Sequence, residues 1–234
     1  MGFSKIQALS LTELFVQQIE RMILSGELAV GEQLPPARDL SLKMGISRPV
    51  ISAGLIELEK LGFVEIRPRQ GVYVCDYRRK GTTETLVAIM RYNGGALRRN
   101  EVRSLLEVRD ACECLCIRLV LNRCSDDDLE KLSPYLDALR DSTDYDEAAE
   151  HVFEFYHELA VISGNELLPL LYYSFHEQSI YLWSLFCKKN GIRAMYDLKS
   201  EFYYALLNRD AESAYEQTHS VLQIAQDNLS FYSN

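Results

Sequence analysis

Residues 47–74 read SRPVISAGLIELEKLGFVEIRPRQGVYV, and this stretch decides the fold. Ser47 stands at a helix cap and Pro49 in the first turn, where the missing N–H is no loss. A helix is expected from about Arg48 to Leu61, with Leu55, Leu58 and Leu61 as its buried stripe. Gly62 closes it. Two short extended runs follow, Phe63–Ile66 and Val72–Cys75, joined by the basic turn Arg67-Pro68-Arg69-Gln70-Gly71.

Working outward toward the N-terminus, Gly45 separates this helix from a shorter one over Pro36 to Met44, with Leu40 facing inward. Gly31, Pro35 and Pro36 mark the loop before it. The first helix announces itself by Ser10 and Glu13, spaced as a capping box. Leu11, Leu14, Phe15, Ile19, Met22 and Ile23 then recur at helical spacing, and Gly26 is the C-cap. Three helices and a hairpin, with a tight glycine turn between the second and third helices, predict a winged helix-turn-helix.

Toward the C-terminus, Asp76 to Gly81 reads DYRRKG, polar and short. A linker is expected over 77–82, separating a head over 1–76 from a body over 83–234. From Thr83 onward the patterning is helical, broken by glycines at 94, 95, 164 and 191 and by Pro134 and Pro169. No internal repeat and no alternating β-branched run interrupts it. The fold class expected is mainly α: the winged head followed by an all-α bundle of six or seven helices.

Charge divides the same way. The 234 residues carry a net charge of −9, but residues 1–80 are net +2 and the rest net −11. Phosphate binding would be confined to the head, and the acidic body would resist sticking to DNA. The N-terminus has no long apolar stretch, and no apolar run approaches the roughly 20 residues that cross a bilayer, so a cytoplasmic protein is expected. None of the six cysteines forms a C-x-x-C pair. On a helix Cys112 and Cys116 share a face and Cys114 points away, so they read as small packing residues rather than zinc ligands.

The segment from Gly26 to Val74 resembles the GntR family of winged-helix regulators. The likeness is carried by Ser25-Gly26-Glu27-Leu28, Gly31-Glu32-Gln33-Leu34-Pro35, Arg38-Asp39-Leu40, Gly45-Ile46-Ser47-Arg48, Leu55 to Leu58, Leu61-Gly62-Phe63-Val64 and Gln70-Gly71-Val72-Tyr73-Val74. Downstream the chain resembles the helical effector domain, FCD-like, of the FadR-type branch. There the matching runs are Glu101-Val102-Arg103, Leu106-Glu107, Ser125 to Leu129, Tyr156-His157-Glu158-Leu159, Ser163-Gly164-Asn165 and Asn208 to Ala214.

The resemblance implies a ligand-responsive transcriptional regulator, a repressor by expectation, that binds a near-palindromic operator as a homodimer. In that architecture the recognition helix enters the major groove by its N-terminus, so Arg48 reaches a guanine edge and Ser47 a phosphate. Arg38 matches a DNA-contact position of the family. Arg67, Arg69 and Gln70 reach the minor groove or the backbone, and Gly71 allows close backbone approach. The family usually places an arginine, then a glutamate, four and five residues after Arg48; here Ser52 and Ala53 stand there.

Many members of the branch hold a metal in the helical domain. The implied positions fall on Phe153, His157, Lys199 and Val221, of which only His157 is a ligand, so no metal and no other cofactor is expected. His219 lies two residues from the last position, turned by about 200° on a helix. Phe153 and Val221 make the cavity apolar, while Arg103, His157 and Lys199 are expected to neutralise a small organic acid or acyl-type effector. A plugged core, with His157 as an ordinary core histidine, fits the same residues. An enzyme is not expected, because no nucleophile triad, P-loop or H-E-x-x-H is present and His157 with Glu154 is a common helix pair. An interaction module without DNA binding is the remaining alternative, motivated by Ser52 and the mild charge of the head.

Overall fold

The computed structural model describes residues 9–91 and 99–227, which leaves the expected break at Gly94 and Gly95 outside the described residues. The chain divides into two compact units, Met1–Tyr92 and Asn93–Asn234.

The first unit opens with α1 (Leu11–Ser25), α2 (Ala37–Met44) and α3 (Arg48–Lys60). The capping box forms as expected: the Glu13 N–H donates to Ser10 Oγ at 3.2 Å, and the Ser10 N–H donates to the Glu13 carboxylate at 2.7 Å. Phe15, Val16, Ile19 and Ile23 of α1 are buried in one cluster with Ile51, Leu55 and Leu58 of α3. The buried stripe of α3 runs Ile51, Leu55, Leu58, whereas Leu61 is only half-buried. Gly54 lies between Ile51 and Leu55 because a Cβ there would overlap the Phe15 ring.

Strands β1 (Val64–Arg67) and β2 (Gly71–Val74) pair antiparallel, with Val64 opposite Val74 and Arg67 opposite Gly71. Each lies one residue from its expected bounds. Residues 31–34 run along the outer edge of β2, where the Leu34 N–H donates to Val72 O at 2.8 Å and the Gly31 N–H to Val74 O at 2.9 Å. The edge strand of the wing is therefore partly covered.

The expected linker is folded onto the head. Residues 77–80 form α4 (Tyr77–Lys80), and α5 (Thr83–Arg91) follows at once. Phe63 and the Tyr77 ring pack at 5.8 Å between centroids. Thr85 is buried and its hydroxyl donates to the Leu61 carbonyl at the end of α3. Ala88 and Ile89 of α5 pack against the head core. Gly62, at φ +74, sits so close to Gly81 that a Cβ on it would lie 3.2 Å from the Gly81 Cα. The boundary thus falls near residue 92 rather than at 82, because α5 turns its apolar side onto the head.

The second unit is all α. Among the described residues it contains α6 (Arg99–Arg123), α7 (Asp126–Glu130), α8 (Ser133–Asp141), α9 (Tyr145–Ile162), α10 (Leu168–Ser174), α11 (His176–Asn190), α12 (Ile192–Leu207) and α13 (Ala211–Asp227). Eight helices replace the expected six or seven because α7 and α10 are short turns between longer neighbours. Ser125 caps α7 through its own capping box, and Pro134 and Pro169 stand in the first turns of α8 and α10. The Asp210 carboxylate accepts from the Ser213 N–H at 3.1 Å where α13 begins.

Helix α9 is the hub. It buries Ala148, Ala149, Val152, Phe153, Phe155, Tyr156, Leu159 and Ala160, which form one broad apolar face of about 160°. Helices α8, α10 and α11 pack against it, and α6 and α12 pack on α13. Two of the cysteines here, Cys116 and Cys187, are buried, and Cys112, Cys114 and Cys124 are half-buried.

Candidate DNA interface and ligand site

In the head, Arg38 on α2 and Ser47 and Arg48 at the start of α3 are all exposed. Ser47 occupies the N-cap position, yet its hydroxyl makes no capping hydrogen bond. The expected cap is therefore positional only. The turn before it is braced by the Ser41 hydroxyl, which donates to the Ile46 carbonyl at 2.6 Å. Ser52 and Ala53 lie exposed one turn further along α3.

The wing is stiffened from within. Arg67 pairs with Glu65 at 3.3 Å, and its guanidinium lies 4.4 Å from the centre of the Tyr73 ring. Lys80 reaches the same Glu65 carboxylate at 3.1 Å. Hydrogen bonds from Arg67 and Lys80 hold the Glu65 pKa below its ordinary value. These pairs are exposed, so they orient the side chains more than they stabilise them. Arg69 caps the turn at φ +64, in the left-handed region, and is exposed at its tip.

Gln33 donates to the Gln70 carbonyl at 2.7 Å, and a Cβ on Gly71, at φ +123, would collide with the Gln33 amide. The close approach that Gly71 permits is taken by Gln33 of the same chain.

In the body, the residues expected to gather around an effector do not come together. Arg103 is exposed on α6. His157 is half-buried, with its ring 5.7 Å from Phe153 and 5.9 Å from Tyr173. Phe153 also lies edge-on to His176, with centroids 4.4 Å apart. Lys199 is buried elsewhere, with Nζ 2.9 Å from Tyr156 Oη. Successive residues on a helix point about 100° apart, so His157 leaves the side of α9 from which Tyr156 meets Lys199.

The groups that meet Lys199 are Tyr156, Arg109 and Glu113. Arg109 and Glu113, one turn apart on α6, pair at 2.7 Å with both side chains buried. The Arg109 guanidinium lies 4.4 Å from the Trp183 ring centre, and Trp183 stacks on Tyr156 at 5.5 Å and 13°. Burial pulls the Lys199 pKa down to about 8, and nearby Arg109 pushes the same way. Burial above all drives the Tyr156 hydroxyl well above its ordinary range. Two cations thus share one carboxylate in a low-dielectric interior, and Arg109 Nε is buried with no hydrogen-bond acceptor among the described residues.

Arg109 closes one end of a cavity of about 20 Å³, lined by Val102, Leu106, Trp183, Met195 and Val221 among others. That volume holds about one water. A second, smaller cavity of about 10 Å³ lies on its other side, beside Cys112, Tyr172 and Phe175. Of the expected residues, Val221 lines the first cavity and Lys199 joins the polar cluster; Arg103, His157 and Phe153 do neither. Arg109, Glu113 and Tyr156 were missed. The signal was a charged pair at i and i+4 on the face of α6 that carries Leu105, Leu106 and Cys116.

The four positions implied for a metal do not fit one. Phe153 and Val221 offer no donor atom, Lys199 is a cation committed to Tyr156, and the His157 ring lies between Phe153 and Tyr173.

A winged helix-turn-helix on an all-α domain with a buried cationic cavity defines a ligand-sensing DNA-binding regulator. Residues 11–74 match the family described as bacterial regulatory proteins, gntR family, and residues 104–223 match the FCD domain. The chain belongs to the GntR family of transcriptional regulators, with an FCD effector-binding domain, and is not an enzyme.

It is 27% identical over 221 residues to the HTH-type transcriptional regulator LutR of Bacillus subtilis, covering 90% of this chain and 97% of LutR. It is 24% identical over 181 residues to the HTH-type transcriptional repressor NanR of Cronobacter sakazakii, covering 74% and 66%. The fold is similar to that of Lar, which controls the expression of the Listeria monocytogenes agr system, at TM-score 0.64 and 16% identity over 96% of this chain and 99% of that one. No helix among the described residues is long and apolar enough to cross a membrane.

Proposed function

We propose that this regulator is a cytoplasmic repressor that binds a near-palindromic operator as a homodimer and is modulated by a small organic anion held between Arg109 and Lys199. The observation that carries the reading is the buried Arg109–Glu113–Tyr156–Lys199 cluster, in which two cations face one carboxylate and Arg109 Nε lacks an acceptor among the described residues. A ligand carboxylate supplies the missing charge, and the apolar walls of the cavity take its carbon skeleton. The cavity of about 20 Å³ holds no organic ligand as it stands, so binding moves the wall formed by Val221, Leu222 and Ala225 of α13. A short acid suits this space better than a long acyl chain. No metal takes part at Phe153, His157, Lys199 and Val221.

On DNA, Arg48 reads a base edge while Arg38 and Ser47 hold phosphate, with Arg67 and Arg69 of the wing on the neighbouring backbone or minor groove. A head of net +2 binds weakly alone, and two heads on one site multiply the phosphate contacts.

The test is selection from randomised duplex DNA at moderate salt, followed by screening of small carboxylates for their effect on the selected site. A palindromic motif released by a short carboxylate, with release lost in Arg109→Met and kept in Arg103→Met, supports the reading. Release that survives Arg109→Met sinks the ligand site, and absence of any enriched motif sinks the DNA reading.

A further inference from the structure

Beside the cavity, on the same two helices, three side chains of different ligand type that do not line it converge. Asp110 and Cys114 stand one turn apart on α6, and His219 reaches them from α13. One carboxylate oxygen, the Cys114 sulfur and one His219 ring nitrogen all lie within 4.8 Å of one another. The His219 Nδ1 and the Asp110 carboxylate are 2.7 Å apart. His219 is exposed and Asp110 and Cys114 are half-buried, so an ion has a way in. Among the described residues no other group of three such side chains comes this close.

We propose that Asp110, Cys114 and His219 form a site for a borderline-soft divalent cation, Zn²⁺ by preference, with water as the fourth ligand. Sulfur at about 2.3 Å, imidazole nitrogen at about 2.0–2.1 Å and carboxylate oxygen at a similar distance is the zinc ligand set, and three donors already within 4.8 Å of one another reach that arrangement by small side-chain rotations. Thiolate selects against Mg²⁺ and Ca²⁺, which take oxygen ligands. On binding, the Cys114 thiol gives its proton to solvent, and the ion replaces the His219–Asp110 hydrogen bond. The site is separate from the positions Phe153, His157, Lys199 and Val221, because His219 is turned about 200° round α13 from Val221 and none of its three residues lines the cavity that Val221 lines.

The consequence is mechanical. Asp110 follows Arg109 on α6, and α13 carries Val221, Leu222 and Ala225 of the cavity wall. An ion bridging the outer side of this helix pair staples α13 to α6.

The test uses the full chain, reduced and stripped of metal with a chelator, dialysed against micromolar Zn²⁺. One ion per chain and a raised unfolding midpoint are expected, with affinity falling at least about tenfold in both Cys114→Ser and His219→Asn. With Co²⁺ in place of Zn²⁺, the wild type shows a thiolate charge-transfer band and tetrahedral visible absorption, and Cys114→Ser lacks the former. His219 is exposed, so its variant remains informative if Cys114→Ser folds poorly. Failure of the wild type to hold a stoichiometric ion overturns the proposal. So does equal binding by wild type and His219→Asn, or a cobalt spectrum without a thiolate band.

Discussion

Lys199 Nζ lies 2.9 Å from Tyr156 Oη, with both side chains buried. A cation placed this way opposes folding, since burial lowers its pKa to about 8 from 10.5.

Lys199→Met should therefore stabilise the ligand-free body at pH 7, by about 1–3 kcal/mol. Because the folded pKa is depressed, the penalty is present below about 8 and fades as pH rises toward the unfolded value of 10.5. Urea unfolding of both proteins at pH 7 and pH 10 checks the sign: the variant's advantage shrinks at the higher pH. An advantage that is absent at pH 7 would mean the ammonium is compensated in the folded state.

Ser52→Arg should tighten DNA binding. Position 52 is exposed on α3, one turn after Arg48, and carries no partner that an arginine would disturb. Each added phosphate contact steepens the slope of log affinity against log salt by about 0.9. A titration at three salt concentrations reads it, and an unchanged slope would place residue 52 away from the phosphates.

Gly54→Ala should destabilise the head by about 1–3 kcal/mol. Alanine is the better helix former, yet its methyl group would enter the Phe15 ring, which is 1% exposed and cannot move aside. Thermal unfolding of the single variant against Gly54→Ala with Phe15→Leu measures the coupling, and the smaller side chain should recover part of the loss.

Glu20 gives the head a pH dependence. Burial, aided by Glu57, raises its pKa to about 7 from 4.5. The folded state then holds a proton that the unfolded chain has released, so head stability falls as pH rises from about 4.5 to about 7. Glu20→Gln should remove that loss, raising stability at pH 8 by on the order of 1–2 kcal/mol after allowance for partial exposure, with little change at pH 4.5. Equal gains at both pH values would assign the effect to packing.

The head was legible because its signals are local: the Ser10–Glu13 box, Gly26, Gly45, and the basic turn between two strands. The turn of Gly71 toward Gln33 was not legible, since the two residues are distant in sequence and meet only through the cover that residues 31–34 give β2. In the body, the helical pattern and the breaks at Pro134, Gly164, Pro169 and Gly191 could be read, but which residue faces inward could not. Tyr156 and His157 are neighbours, both polar-capable aromatics, and one step along α9 exchanges the Lys199 contact for the Tyr173 side. Arg109 escaped notice because a charge on a helix reads as a surface position until its partner Glu113 and its ring contact with Trp183 are seen. The α4–α5 segment reads as a hinge by composition, and only its tertiary packing shows otherwise.

That packing has a consequence for modular exchange. The Thr85 hydroxyl covers the Leu61 carbonyl and Gly62 backs onto Gly81, so α3 is finished by residues that follow the wing. A chimera joined at Asp76 would graft a reading head with its last carbonyl bare and the seat of Ala88 and Ile89 empty. Joined after Arg91, the same head carries its own lid, and sensor domains can be swapped behind it without reopening the core.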